Sequence, residues 1–514
     1  MSKAQMLLKH AWWGTGFIAL WLLPLLWGVS VWGWQQQRWA LTYGGPAADF
    51  ATVLQGGDVG RQDVGGYLVA GYTNSYGSGK QDGWVWRLDE QGSPLWQKAY
   101  GGAEDDDFLA MAWAADGGAA VAGSTRSFGV IGQDAWVMRL DAAGESVWQY
   151  AFGGVGNETA RAIWLAADGG YLLAGSSSSG SAGAADGWVW RLDAAGDIVW
   201  QFTYGGATMD ELKAVAAVAD GGYIVAGETW SFGAALSDGW LLKLDSGGGV
   251  IWQKRYGDLL ADGWLALQAT ADGGVIVAGY TDSVGTGGQD AWVMRLDAAG
   301  DVLWQMAYGG VDADRAEALL PLTDGGFVVT GVTESFGAGH EDAWAFRLDE
   351  AGQIVWQKTY GGSLGGDMAR SIAATPDGGA LLAGHTFSFG AGEADAWIVR
   401  LDAQGVADDA ALVQESWAAA APTAMDGRPT NAAAQPAAIA ARSLLAPSQT
   451  VNVAAAALAP RRILNTALTP TPPAAAVNPA QAASPMTAYC NLGLACLLTA
   501  WVGFRLWRGI RRHP

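Results

Sequence analysis

Cysteine and histidine are nearly missing from this chain of 514 residues. The two cysteines, Cys490 and Cys496, both lie in an apolar run near the C-terminus, so the rest of the sequence has no disulfide and no thiolate metal site. Four histidines occur, and neither His340 nor His385 has a serine, cysteine or second histidine at a recognisable catalytic spacing. We therefore expect a protein that is not an enzyme.

Basic residues are also scarce, with 29 Lys and Arg against 50 Asp and Glu and a formal net charge of −21. An acidic surface repels phosphate backbones and anionic headgroups, so no nucleic-acid partner is expected. Helical periodicity is absent from residues 39–405, where short apolar or alternating runs stand between glycine-rich turns. This pattern predicts an all-β fold.

What the sequence has in abundance is a repeat of about 52 residues. Each copy contains four predicted antiparallel strands and two recurring tryptophans, large apolar plates that suit packing between sheets. Four such strands per repeat are typical of one β-propeller blade. The aspartates of the Asp-Gly-Gly turns mark the period, at intervals of 52 or 53 residues: Asp116, Asp168, Asp220, Asp272, Asp324 and Asp377.

The number and order of the strands predict a closed ring. Seven copies of the second and third strands are present, but the last copy lacks a fourth strand. A matching segment, Trp39–Tyr43 followed by two glycines, stands alone before the first copy. We therefore predict a monomeric seven-bladed β-propeller over residues 35–405, in which the N-terminal strand completes the last blade and leaves no open sheet edge.

The blocks of the repeat carry a resemblance to known proteins. Asp-Gly-Gly-Tyr, Ala-Gly, Ser-Phe-Gly, Asp-Ala-Trp, Leu-Asp, Trp-Gln and Tyr-Gly-Gly recur in this order over residues 39–405. In these blocks the chain resembles bacterial and archaeal surface β-propellers. More distantly, residues 295–304 resemble the tryptophan-docking repeat of quinoprotein-type propellers, which include dehydrogenases and non-enzymatic assembly factors. The adjacent cysteines common in those dehydrogenases are absent, so no cofactor is expected.

Apolar runs flank the ring. Residues 1–10 carry basic charge, and the uncharged run 11–34 is long enough to span a bilayer, as a signal-anchor or, alternatively, a cleaved signal peptide. Residues 486–507 predict a second transmembrane helix, and the basic tail 508–514 is expected in the cytoplasm. The Ala/Pro/Thr-rich segment 406–485 predicts a disordered linker. These features predict a cell-membrane protein with its propeller outside the cytoplasm, and with both termini inside if the signal is uncleaved.

Strand direction predicts two unlike faces. All tight hairpins fall on one side of the ring, the hairpin face, and all longer connections fall on the other, the loop face, where binding is expected. One acidic residue precedes each innermost strand and is expected near the channel mouth, where carboxylates would suit Ca²⁺ or would instead lock their own loops. These weak metal candidates are Asp49, Asp106, Glu158, Asp210, Asp262, Asp314 and Asp367.

Residues that break the seven-fold pattern are better candidates for a binding surface, because a functional site usually breaks symmetry. Those on the loop face are Glu104, Asp105, Asp107, Arg126, Trp230 and His340. The sequence favours a non-enzymatic, membrane-anchored propeller that presents its loop face to a protein or glycan. The alternatives are a structural spacer of the cell envelope, which should look uniform around the ring, and a propeller enzyme of lyase, glycosidase or quinoprotein type.

Overall fold

A computed structural model describes residues 39–56, 66–77, 79–129, 131–179, 181, 184–232, 236–285, 287–337, 339–390 and 392–407, with three dipeptides beyond them. Every regular element in these residues is a β-strand. The described residues include no helix that is long and apolar enough to cross a membrane. The chain separates into units 1–471 and 472–514, and only residues of the first are described. The predicted segments 1–10, 11–34, 486–507 and 508–514 lie outside the described residues.

The first fourteen strands show how blades follow one another along the chain. An isolated closing strand comes first, and the blades then take four consecutive strands each, hydrogen-bonded in sequence order. The bounds are β1 (Trp39–Tyr43); β2 (Asp49–Gly56), β3 (Tyr67–Thr73), β4 (Asp82–Leu88), β5 (Pro94–Tyr100); β6 (Asp106–Trp113), β7 (Ala119–Thr125), β8 (Asp134–Leu140), β9 (Ser146–Phe152); β10 (Glu158–Leu165), β11 (Tyr171–Ser177), β12 (Asp186–Leu192), β13 (Ile198–Tyr204); and β14 (Asp210–Ala217).

The remaining strands complete blade 4 and form blades 5 to 7, the last of which has only three strands of its own. Their bounds are β15 (Tyr223–Thr229), β16 (Asp238–Leu244), β17 (Val250–Tyr256); β18 (Asp262–Ala269), β19 (Val275–Thr281), β20 (Asp290–Leu296), β21 (Val302–Tyr308); β22 (Asp314–Pro321), β23 (Phe327–Thr333), β24 (Asp342–Leu348), β25 (Ile354–Tyr360); and β26 (Asp367–Ala374), β27 (Ala380–Thr386), β28 (Asp395–Leu401).

The predicted ring closure is confirmed. Strand β1 pairs antiparallel with β28, from Trp39 opposite Arg400 to Tyr43 opposite Ala396, and it forms the outer strand of the seventh sheet. Trp39 and Ala407 therefore both lie at the hairpin face. The described residues form the predicted all-β, seven-bladed propeller.

Each outer strand holds the hairpin of the next blade. In blade 1, the Trp96 indole donates a hydrogen bond to the Ala142 carbonyl (3.1 Å), and the Tyr100 hydroxyl donates to the Gly144 carbonyl (2.6 Å). Gly144 has φ of 74°, and a Cβ there would lie 2.9 Å from the Trp96 ring, so the turn requires glycine. The recurrent tryptophans are thus packing residues, as the sequence predicts.

All seven inner strands carry a β-bulge at their fourth residue, between Ala51 and Val53 in blade 1 and between Ala369 and Ser371 in blade 7. A bulge turns the local side chain and increases the strand twist. Three dipeptides of the predicted linker also pair with outer strands: β29 (Arg428–Pro429) with β21, β30 (Gln435–Pro436) with β17, and β31 (Arg442–Ser443) with β13. Otherwise residues 408–485 lie outside the described part, so linker disorder stays a prediction.

Candidate functional site

The seven acidic residues that begin the inner strands are buried and hold their own loops. Asp106 accepts hydrogen bonds from the Gly102 amide (2.7 Å) and from the hydroxyls of Thr125 (2.5 Å) and Ser127 (2.7 Å). The other six accept an amide hydrogen bond from the residue four or five positions earlier: Asp49, Glu158, Asp210, Asp262, Asp314 and Asp367.

These carboxylates do not line the channel, because its lining begins at the fourth or fifth residue of each inner strand, whereas the first residue is bound to its own loop. Burial raises the pKa of Asp210, Asp262 and Asp314. Within the described ranges, no group of three or more His, Cys, Asp or Glu side chains is placed to hold a metal ion. The geometry thus accounts for these residues as loop locks, and Ca²⁺ binding stays a prediction.

Four of the six asymmetric candidates lie together, in the sector between blades 1 and 2. Glu104 is exposed and pairs with Lys80 (2.8 Å), and the carbonyl of its neighbour Asp105 accepts a hydrogen bond from the amide of Arg126 (2.9 Å). Asp107 accepts hydrogen bonds from the amide (2.7 Å) and hydroxyl (3.0 Å) of Ser124. This sector is therefore charged and polar.

The other two candidates lie in separate blades. Trp230 is half-buried at the start of the loop between the second and third strands of blade 4, and exposed His340 occupies the corresponding loop of blade 6. The structure thus brings Glu104, Asp105, Asp107 and Arg126 into one sector and leaves Trp230 and His340 apart from them.

Apolar side chains project from four of the other six loop-face junctions. Val155 (83% exposed) lies between blades 2 and 3, Val311 (76%) between blades 5 and 6, and Leu364 (84%) between blades 6 and 7. Leu259 and Leu260 are exposed between blades 4 and 5. Loops between second and third strands add exposed Ile131 in blade 2, Leu236 in blade 4 and Phe387 in blade 7. Sequence inspection for unusual charges and aromatics misses this surface, because aliphatic loop residues attract no notice until their exposure is known.

Inner strands of all seven blades line a central cavity of about 410 Å³. The fourth residue of each strand, the bulge residue, differs from blade to blade: Thr52, Leu109, Arg161, Lys213, Leu265, Glu317 and Arg370. Arg161, Lys213 and Arg370 are among the residues that line the cavity. An alignment of the seven repeats shows that the residue at this position differs between blades. A search limited to acidic residues and to unusual residues of the loop face does not find this difference.

Most channel charges are paired. Arg161 Nε lies 3.9 Å from a Glu211 oxygen, and Lys213 forms an ion pair with buried Glu228. On β22, Arg315 Nε lies 2.6 Å from a Glu317 oxygen. These charges therefore largely compensate one another.

An aromatic cluster lies beside Arg370 at the loop-face end of the channel. The Phe50 ring stacks on Tyr72 (4.7 Å between ring centroids) and meets the His385 ring edge-on (4.6 Å). Burial, together with the nearby Arg370 charge, lowers the pKa of His385 to about 3, so this histidine is neutral at physiological pH. His385 therefore serves here as an apolar packing ring rather than as a proton carrier.

Comparisons with known proteins give limited resemblance. No family model matches the chain. The regulatory protein FlaEY of Caulobacter vibrioides is 32% identical over a stretch covering 23% of this chain and 15% of that protein, so the chain spans a small part of that relative. The Neurospora crassa Pan2 WD40 domain gives a TM-score of 0.42 at 11% identity, covering 71% of this chain and 96% of that chain. BBS1N in complex with ARL6DN gives 0.35 at 12% identity, covering 64% and 90%. The resemblance to surface propellers stays a prediction.

Proposed function

We propose that this protein is a non-enzymatic, membrane-anchored scaffold whose loop face binds a protein partner. One observation carries the proposal: the loop face is uneven, with charged residues between blades 1 and 2 and exposed aliphatic residues at four other junctions. A spacer needs no such difference between blades. Burying each exposed aliphatic side chain against a partner would contribute about 1.5–3 kcal/mol, whereas leaving them in water contributes nothing.

Membrane anchoring and the extracytoplasmic side belong to the same proposal. They are supported by the apolar runs 11–34 and 486–507, and by the position of Trp39 and Ala407 at the hairpin face. The first and last residues of the ring lie on the side opposite the loop face, which would then point away from the membrane. Added protease should cut residues 335–341 in intact cells; protection there, with cleavage only after lysis, would contradict this orientation.

A matched pair of variants tests the binding surface. The full-length protein in detergent is used to capture polypeptides from cells of its own source, and V155K/L364K is compared with V147K/V355K. All four residues are exposed and aliphatic, but Val147 and Val355 lie on outer strands at the perimeter (56% and 55% exposed). A lysine buried in an interface loses hydration, so V155K/L364K should retain at least about tenfold less partner.

The control V147K/V355K carries the same added charge and should retain the partner as the native chain does. Equal retention by all three proteins would mean that the partner does not bind at Val155 and Leu364, and no specific retention by any would favour the envelope-spacer alternative. Retention of a glycan rather than a polypeptide would show that the face binds sugar.

A further inference from the structure

Arg370 carries a positive charge in the channel that no nearby acid compensates. Its side chain lines the cavity from the bulge of β26, and its Nε is buried without a hydrogen-bond partner. Within the described residues, the other two cations that line the cavity, Arg161 and Lys213, each have a carboxylate within ion-pair distance, and Arg370 has none. The Arg370 side chain is half-buried, and a guanidinium partly shielded from water without a counter-charge is unfavourable, a cost that a bound anion would lower.

The ring order places two further cations opposite Arg370. Blade 7 is three steps from blade 3 in one direction and three steps from blade 4 in the other. Arg161 and Lys213 occupy the same bulge position in those two blades, so the three cations approach one level of the cavity from facing walls. A ligand there would be held from both sides.

The chemistry of these groups selects the ligand. A guanidinium presents a planar set of N–H donors that matches the oxygens of a carboxylate or phosphate, and an ammonium adds a point charge. The nearby acids Glu211, Glu228 and Glu317 are engaged with their own cations, and Asp107 accepts hydrogen bonds from Ser124. Because the whole chain has a formal charge of −21, its general field does not attract anions, and these side chains must supply the attraction.

We propose that the central channel binds a small oxyanion, a carboxylate or a phosphate, between Arg370 on one wall and Arg161 with Lys213 on the other. The cavity of about 410 Å³ accommodates such an anion together with water. The site lies inside the ring and does not rest on the proposed partner at the loop face.

Titration calorimetry on the full-length protein in detergent, at constant ionic strength, tests the proposal. Inorganic phosphate and succinate are the two probes, and they distinguish the two kinds of oxyanion. R370Q should bind the preferred probe at least about tenfold more weakly, because it loses a charge-assisted contact. K358Q is the matched control: it removes one positive charge from the outer strand β25 and should bind as the native chain does.

Two results would overturn the proposal: no saturable binding of either probe to the native chain, or equal binding by the native chain and R370Q. If R370Q does not fold, R161Q replaces it, since the Arg161 side chain is 39% exposed and its ion pair is long at 3.9 Å. R161Q should then weaken binding relative to K358Q, and unchanged binding would likewise refute the site.

Discussion

Phe152 is the one residue that interrupts the contacts between successive blades. At its position the other six outer strands have a tyrosine whose hydroxyl donates to a glycine carbonyl of the next blade, as Tyr308 does to Gly352 (2.7 Å). Phe152 is fully buried at the corresponding site, where Gly196 occupies the glycine position of the next hairpin. The blade 2–3 contact therefore lacks this hydroxyl bond, although the Trp148 indole still donates to the Ala194 carbonyl (3.2 Å).

Restoring and removing this hydroxyl gives a paired prediction. F152Y should raise stability by up to about 1 kcal/mol, because it supplies the missing donor to the Gly196 carbonyl, and Y308F should lower stability by about 1–2 kcal/mol. The midpoints of urea unfolding at unchanged slope measure both effects. A lower midpoint for F152Y would mean that its hydroxyl is buried without reaching the carbonyl.

Single residues also show where sequence reasoning stops. The recurrent tryptophans are predictable as core because they repeat once per blade, and Trp136, Trp188 and Trp240 are indeed buried. The position of Arg370 in the channel was not predicted from the sequence. It depends on a bulge in β26 and on facing blades that lie more than 150 residues earlier in the chain. Periodicity identifies residues that recur in every repeat, whereas the channel site consists of residues that differ between repeats.

At the scale of elements, β1 differs from every other outer strand in how it is attached. Strands such as β21 are joined to their neighbours by a short hairpin, but β1 reaches blade 7 only through pairing and side-chain contacts. Tyr43 adds contacts with blade 1, since its hydroxyl donates to the Gly92 carbonyl (2.6 Å) and its ring lies 6.1 Å from that of Trp86. The free energy of local opening should therefore be lowest here.

Alanine at equivalent positions tests this difference. Y308A should lose about 3–5 kcal/mol of global stability, because it removes a fully buried aromatic ring, and Y43A should lose less, because the Tyr43 side chain is only partly buried. Only Y43A should also release β1 while the rest of the ring stays folded. Limited proteolysis measures this as early cleavage near residues 38–48 in Y43A, with no matching early cut around Tyr308 in Y308A. The same pattern in both variants would mean that β1 is held as firmly as an interior strand.

The existence of β1 was predictable because its Trp-x-x-x-Tyr-Gly-Gly pattern is a displaced copy of a strand missing from the last repeat. The bulges were not predicted. They lie in apolar runs whose alternation looks regular, and a bulge depends on how the neighbouring strand pairs rather than on a turn residue.

For the whole molecule, strand sharing between the two chain ends closes the ring. In blade 2, Trp148 follows Leu140 by eight positions through a tight hairpin. If Ala407 is joined to Arg38, Trp39 likewise follows Leu401 by eight positions. A circular permutant of residues 38–407 can therefore replace the pairing of separate ends with an ordinary hairpin.

The position of the new ends then decides stability. Ends placed within residues 257–261 give seven blades that are each continuous in sequence, so the ring closes through contacts between blades and without strand pairing. Unfolding should then be faster than in residues 38–407 with native connectivity. Ends placed within residues 245–249 divide blade 4 between both termini and should preserve the native unfolding rate. Unfolding kinetics in urea distinguish the two, and equal rates would show that strand sharing is not what keeps the ring closed.

The separation of β1 from its partner also has a consequence during synthesis. Asp395, where β28 begins, follows Trp39 by 356 positions, so at roughly 5–20 residues per second the first strand waits on the order of tens of seconds. In blades 1 to 6 the third strand pairs with the fourth strand of the same blade as soon as that strand is synthesised. Among the third strands, only β28 is synthesised without a following strand of its own blade to pair with. On a polysome, the nearest strand able to pair with β28 can belong to a neighbouring nascent chain. Exchange of β1 between copies is thus the misassembly inherent to this closure.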